Sequence, residues 1–350
     1  MFSLQDYDYE LPEELIAQKP AEQRDGSRLL VLKRNTGELV HRHFYELDEM
    51  LLPSDVLVIN NTEVIPGRLY GKKASGGQAE ILILNYGSGA KQEDGAFICR
   101  CLVKTAKKSK PGTIIFLEHG VKAEITEAHE GICTLRFFCN EQRFESLMYR
   151  IGNMPLPPYI RRNIPCSDDK QSYQTVYAAQ KGAIAAPTAG LHFTKELLSR
   201  LKNKGITIAP ITLHVGYGTF LPVRVADIRE HRMHSEWYSI PHETANAVNI
   251  AKQEGRRVIA VGTTCMRTLE YAADTEGKLS EGAGECDLFI YPGYHFKLAD
   301  AMITNFHLPQ STLLMLVSAF AGRETILKAY QEAIANQYRF YSYGDAMLIA

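Results

Sequence analysis

Asp55-Val-Leu-Val-Ile-Asn-Asn61 is a short, unbroken apolar run closed on both sides by polar residues. Four consecutive apolar side chains leave neither face of an extended chain for water, so the run reads as a strand buried on both faces, as in sheets covered by helices. The next stretch of chain has another rhythm. Between about Arg68 and Asn140, short strand-like stretches (Glu80–Leu84, Phe97–Lys104, Thr113–Leu117, Val121–Glu127 and Ile132–Phe138) are punctuated by glycines at the spacing of a small antiparallel barrel. A helix over Glu141–Ile151 and the stiff Met154-Pro-Leu-Pro-Pro-Tyr-Ile160 segment close that stretch. The buried strand comes before the barrel-like part, so the barrel is expected to be inserted into an α/β main domain. Residues 1–64 and 156–350 would form the α/β part and residues 65–155 the barrel.

From Ala183 onward strands alternate with helices. Ala183–Ala186 reads as a strand, and Lys195–Asn203 as a helix with Thr194 at its N-cap and Gly205 past its end. Ile206–His214 is a strand, Glu243–Glu254 a helix ended by Gly255, Arg257–Val261 a strand, and Cys265–Ala273 a helix entered through Gly262-Thr-Thr. This alternation predicts a largely parallel sheet. Ligands of such sheets sit beyond the carboxyl ends of the strands, where the loops carrying His192, His214 and Thr263 fall.

A chain of 350 residues exceeds what one core usually fills, which agrees with two domains. Its net charge of −1 excludes a polycation, so contact with nucleic acid has to come from a local basic patch. Seven scattered cysteines without a Cys-x-x-Cys pair read as reduced thiols. The acidic start, Met1 to Glu10, is unlike a signal peptide, and the longest apolar run, Leu313–Leu316 through Ala321, is too short to span a bilayer. A cytoplasmic protein with no membrane contact is the expectation.

Three histidines lie where apolar runs give way to Gly, Pro and Thr: Ala186–Thr194 with His192, Thr212–Phe220 with His214, and Ile303–Pro309 with His307. Such turns present amides, hydroxyls and an imidazole together, so the three loops are expected to converge on one polar site and to serve in general acid–base work. A structural histidine donating to one carbonyl is the alternative for each. The Gly262-Thr263-Thr264 helix start suits a carboxylate or phosphate. Arg267 and Glu270, three apart on that helix, either bind the two charges of an amino-acid zwitterion or form an internal ion pair. His231, His234 and Glu236 are metal-ligand types, but their spacing completes no recognised site, and a metal is not expected. Cys265 at a helix start is either a nucleophile of a Cys–His hydrolase or a small packed residue. Lys104, Lys107, Lys108 and Lys110 on a barrel loop, with Arg161-Arg162 and Arg256-Arg257, are the basic clusters. Neither a complete Gly-x-Gly-x-x-Gly after a strand nor a phosphate-loop motif is present, which disfavours a dinucleotide enzyme or kinase.

Longer motifs carry a resemblance. Tyr9-Glu-Leu-Pro-Glu-Glu-Leu-Ile-Ala-Gln18, Val58-Ile-Asn-Asn-Thr-Glu-Val-Ile-Pro66, Met154–Ile160, Tyr173-Gln-Thr-Val-Tyr177, Ala186–Thr194, Thr212–Phe220, Ile290-Tyr-Pro-Gly-Tyr294, Ile303–Gly322 and Tyr338–Met347 together resemble the S-adenosylmethionine:tRNA ribosyltransferase-isomerase family of queuosine biosynthesis nearly end to end. Departures such as Cys265-Met266, Ala301-Met302 and Gly67 remove no ionisable group. The resemblance implies an α/β domain carrying a barrel insert, and a monomer. It implies that the ribosyl part of S-adenosylmethionine is transferred to the aminomethyl group of 7-aminomethyl-7-deazaguanine at the tRNA wobble position and isomerised to give epoxyqueuosine, with adenine and methionine released. S-adenosylmethionine is then a consumed substrate, and no cofactor is needed. Applied to this chain, the resemblance makes His192, His214 and His307 the catalytic candidates. Thr188, Thr219, Thr263, Thr264, Arg267 and Glu270 become S-adenosylmethionine contacts, and Tyr291 and Phe306 become faces for adenine or sulfonium. Arg68, Lys104, Lys107 and Lys108 become contacts to tRNA phosphate.

Overall fold

The computed structural model describes residues 2–86, 90–107, 109–129, 131–161 and 168–350. Lys108 and Arg162 lie outside the described residues. The opening strand run becomes Val56–Asn60, every residue of it buried. Its side chains alternate between two cores: Val56 and Val58 pack on one face of the sheet, Leu57 and Ile59 on the other. That double burial is why the run carries no polar residue until its end.

This strand sits inside a nine-stranded sheet. In spatial order the strands are Gly282–Cys286, Glu236–Ile240, Thr207–Leu213, Val56–Asn60, Val258–Val261, Ala301–Asn305, Ala346–Ile349, Arg28–Leu32 and Leu39–His43. The four from Thr207–Leu213 to Ala301–Asn305 are mutually parallel. The expected parallel sheet is therefore found in the centre, with one further parallel pair, Arg28–Leu32 beside Ala346–Ile349. The remaining pairings are antiparallel: Glu236–Ile240 with both its neighbours, Ala346–Ile349 with Ala301–Asn305, and Arg28–Leu32 with Leu39–His43. Parallel neighbours need long crossovers, and the helix Gly262–Ala272 lies in the one from Val258–Val261 to Ala301–Asn305. The antiparallel return from Ala301–Asn305 to Ala346–Ile349 is also long, running through the helices Thr312–Ala321 and Arg323–Ala335. The expected strand Ala183–Ala186 is observed as Gln180–Ala183, pairing with Thr62–Val64 in a separate two-stranded ribbon.

The glycine-punctuated stretch closes on itself. Strands Arg68–Lys73, Gln78–Ile83, Ala96–Thr105, Ile132–Phe137, Lys122–His129 and Ile114–Leu117 form a six-stranded antiparallel barrel, and Lys91–Glu93 adds a short hairpin to it. Cys99 and Cys101, two apart on one strand, both point inward, with Sγ atoms 3.7 Å apart. The helix Glu141–Ile151 plugs the barrel through Phe144, Leu147 and Met148; Phe144 stacks on Phe97 at 4.4 Å. Where the chain enters and leaves the barrel, Arg68 and Asn153 exchange backbone hydrogen bonds of 3.1 and 2.9 Å. The neighbouring Gly152 has no alternative there, because a Cβ would lie 2.0 Å from the Pro66 carbonyl oxygen. Among the described residues no helix is long and apolar enough to cross a membrane.

Candidate active site

Three parallel strands end at one side of the sheet, and the turns after them wall a cleft of about 280 Å³. The helix Gly262–Ala272 begins there because Gly262, at φ +88°, lets the chain turn abruptly from strand into helix. Thr263 and Thr264 thus reach the cleft, as do Thr188, Thr219, Arg267 and His307. The cleft continues past the 215–222 loop into a groove of about 1370 Å³ between the barrel and the sheet edge. Thr219, Val215, Leu221, Pro222 and Glu236 border both spaces.

Glu236 is the hinge of this arrangement. One carboxylate oxygen accepts from the Gly216 amide at 2.8 Å and the Thr219 hydroxyl at 3.3 Å; the other accepts from Arg267 Nη1 at 2.5 Å. Both side chains of the ion pair are about nineteen-twentieths buried, at 5% and 4% exposure. Arg267 also donates to the Leu288 and Cys286 carbonyls, at 2.9 and 3.3 Å. Glu236 is therefore turned toward the Arg267 guanidinium, and among the described residues no group of three His, Cys, Asp or Glu is placed to hold a metal ion.

The expectation that three histidines share one volume does not hold, because they cap different elements. His307 borders the cleft, with Nε2 2.7 Å from the Thr304 hydroxyl. His192 lies behind the cleft wall, stacked on Phe44 at 5.0 Å and facing a second cavity of about 190 Å³. His214 lies on the groove floor, stacked on Trp237 at 4.9 Å with Nδ1 2.8 Å from the Thr62 hydroxyl. Gly182 makes room for that ring, since a Cβ would meet His214 Nε2 at 2.6 Å. Burial holds all three imidazoles neutral, pushing His192 and His214 down to about 4 and His307 to about 3.

Other expected contacts are also redistributed. Arg267 and Glu270 share a helix, but their charged ends diverge. Glu270 accepts from the Lys297, Leu298 and Ala299 amides at 2.7, 3.0 and 3.1 Å, and it does not border the cleft. Phe306 touches the cleft, but its ring is 0% exposed, packed among Tyr330, Tyr338 and Phe340, and offers no face to a ligand. Tyr291 packs against Phe2 and Phe289 away from the cleft. Cys265 is fully buried in the core and its thiol is raised by desolvation, which removes the nucleophile reading. Arg68 is engaged with Glu80 at 3.0 Å and the Leu156 carbonyl at 3.2 Å, at the barrel's stem. Lys104 and Lys107 are exposed, and Lys104 borders the groove.

The cleft also holds residues that motif reading passed over. Tyr159 and Tyr341 face it with ring centroids 4.8 Å apart, and Tyr159 bonds Ser342 at 2.7 Å. Tyr341 sits at φ +70°, a left-handed conformation that a tyrosine rarely adopts and that places its carbonyl beside Asn305. Only the fold reveals this.

A family profile described as "Queuosine biosynthesis protein" matches residues 4–349. The chain is 52% identical over 346 residues to an S-adenosylmethionine:tRNA ribosyltransferase-isomerase of Syntrophotalea carbinolica, with 99% of each covered. A protein of the same name from Trichlorobacter lovleyi is 53% identical over 346 residues, again with 99% of each covered. Among solved structures the chain is similar to the S-adenosylmethionine tRNA ribosyltransferase of Thermotoga maritima at 40% identity, covering 99% of this chain and 100% of that one, with a TM-score of 0.55.

Proposed function

The chain belongs to the queuosine-biosynthesis family of S-adenosylmethionine:tRNA ribosyltransferase-isomerases, and we propose that it moves the ribosyl part of S-adenosylmethionine onto the aminomethyl group of 7-aminomethyl-7-deazaguanine at the tRNA wobble position. The sugar is isomerised to the epoxycyclopentanediol of epoxyqueuosine, and adenine and methionine leave. The observation that carries this reading is the shared wall. A nucleoside-sized cleft and a groove wide enough for a folded-out nucleotide meet at Thr219 and Glu236, so substrates bound in each bring their reacting atoms to one place.

In this reading S-adenosylmethionine lies in the cleft with its carboxylate toward the free amides of Thr263 and Thr264 at the helix start. The sulfonium acidifies the hydrogens on the adjoining 5′ carbon, and a base that removes one begins the elimination. His307 is the imidazole bordering the cleft; its Nδ1 has no partner among the described residues, and its neutral form is able to accept that proton. Departing adenine takes a proton at a ring nitrogen. The attacking amine reacts in its neutral form, and a dry, apolar approach favours that form. The tRNA occupies the groove, with Lys104 on its wall and the exposed Lys107 three residues further on toward its phosphates, and His214 with Trp237 on the floor. S-adenosylmethionine is consumed as substrate, and no separate cofactor enters.

The test is incubation with S-adenosylmethionine and tRNA bearing the deazaguanine. Equal amounts of free adenine and methionine should appear with modified tRNA. Formation of S-adenosylhomocysteine in their place would show methyl transfer and end the proposal.

A further inference from the structure

Asn305 ends the buried strand Ala301–Asn305 and borders the cleft, yet it is only 2% exposed. Its hydrogen bonds are set by groups that have no choice of role. The Tyr341 carbonyl can only accept, so the amide atom 3.0 Å from it is Nδ2. The same Nδ2 lies 3.3 Å from His192 Nε2, which is therefore the bare, accepting nitrogen of the imidazole. The ring proton is then on Nδ1, 2.7 Å from Ser27 Oγ, and Ser27 donates its own hydrogen to the Arg24 carbonyl at 3.3 Å. Backbone carbonyls pin both ends of the chain. What the chain leaves over is Asn305 Oδ1, a buried acceptor with no partner among the described residues. Unsatisfied buried carbonyl groups are costly and rare in folded proteins, and one that borders a ligand-sized cleft calls for a donor on the ligand.

We infer that Asn305 Oδ1 accepts a hydrogen bond from the nucleoside in the cleft, from the exocyclic amine of its adenine or a ribose hydroxyl, and that His192 is a positioning residue that holds the amide in this orientation. The inference rests on the cleft being the S-adenosylmethionine site. His192 faces the second cavity and reaches the cleft only through Asn305, so it orients and moves no proton. Where the donor is the exocyclic amine, an acceptor held this way favours adenine over a purine that presents oxygen at the same position; where it is a hydroxyl, it favours the intact ribose.

The experiment measures binding by calorimetry and turnover with tRNA for the wild type, Asn305→Leu, Ser27→Ala and His192→Gln. The ligands are S-adenosylmethionine and analogues lacking the 6-amino, 2′-hydroxyl or 3′-hydroxyl group. The wild type should lose about tenfold or more in affinity for one analogue. Asn305→Leu should bind S-adenosylmethionine and that analogue alike. His192→Gln should raise KM for S-adenosylmethionine while the pH profile of kcat keeps its wild-type shape. Undiminished discrimination in Asn305→Leu, or a displaced inflection in His192→Gln, overturns the inference. Should Asn305→Leu fail to fold, Ser27→Ala decides: it frees the imidazole tautomer from outside the cleft, so weakened discrimination supports the relay and full discrimination overturns it. A wild type that neither binds nor consumes S-adenosylmethionine sinks the functional reading and this inference together. Wild-type turnover with unchanged variants sinks this inference alone.

Discussion

His192, His214 and His307 each trade hydration for a hydroxyl partner and an apolar wall, and the consequence is a measurable pH dependence. Their folded pKa values, about 4, 4 and 3, lie below the value near 6.5 of an unfolded chain. The unfolded state therefore binds these protons first as pH falls. Stability from this source is complete above pH ~6.5 and is lost as pH drops toward ~4. Each group contributes a slope of about 1.4 kcal/mol per pH unit in that window, so the three together reach about 4 at most. Urea unfolding at pH 7, 6, 5 and 4.5 should show that steep loss, and His307→Gln should flatten it by about a third. An unchanged slope in the variant would mean that His307 is not held neutral. The same burial keeps all three from titrating between pH 6 and 8. They should add no inflection near 6.5 to kcat/KM, which a profile over that range checks directly. Sequence pointed to these three residues through their turns, and in that it was informative. It did not separate their settings, because stacking on Phe44 or Trp237 brings together residues more than twenty or a hundred positions apart.

At the scale of elements, the helix Gly262–Ala272 is tied to the strand Glu236–Ile240 by the Arg267–Glu236 pair, and this pair also shapes the loop shared by cleft and groove. Removing one partner of a buried pair leaves an uncompensated charge, which costs about 3–5 kcal/mol. Arg267→Met should therefore destabilise by that amount in urea unfolding, and adding Glu236→Gln should restore most of it, since the orphaned charge disappears. Equal losses in the single and double variants would contradict the pair's role. Helix ends were legible from their caps, with Thr194, Gly205 and Gly255 marking ends within a residue or two of those observed, whereas the strand Glu236–Ile240 was not legible in the sequence. The run Val56–Asn60 announced a doubly covered strand. The antiparallel edges were not legible, because neighbours in space are set by returns such as Ala346–Ile349, whose pairing no local pattern encodes. Glu236 read as a metal-ligand type for the same reason, its partner Arg267 being 31 residues away.

At the scale of the molecule, the inserted barrel turns a sheet edge into one wall of a groove that neither part makes alone. Lys104 and Arg100 come to it from the barrel, and Arg224 and Arg232 from the sheet side. Glu230 and Glu285 line the same groove and Glu236 is already paired with Arg267, so a chain of net charge −1 keeps a modest excess of cations where the proposed tRNA would lie. Phosphate contacts release counterions, so removing one contact should lower the steepness of the salt dependence of tRNA binding by about one unit in log–log form. Arg232→Ala and Lys104→Ala should each do this and raise KM for tRNA, while KM for S-adenosylmethionine, which the proposal seats beyond the Glu236 wall, stays put. A matching rise in both constants would mean that cleft and groove are one site. The protein carries a single tryptophan, Trp237, and it lies on the groove floor against His214. Its emission is therefore a reporter for groove occupancy. Titration with tRNA should change it, and S-adenosylmethionine alone should leave it unaltered because the cleft does not include Trp237. The opposite pattern would place the small substrate in the groove and reverse the assignment of the two spaces.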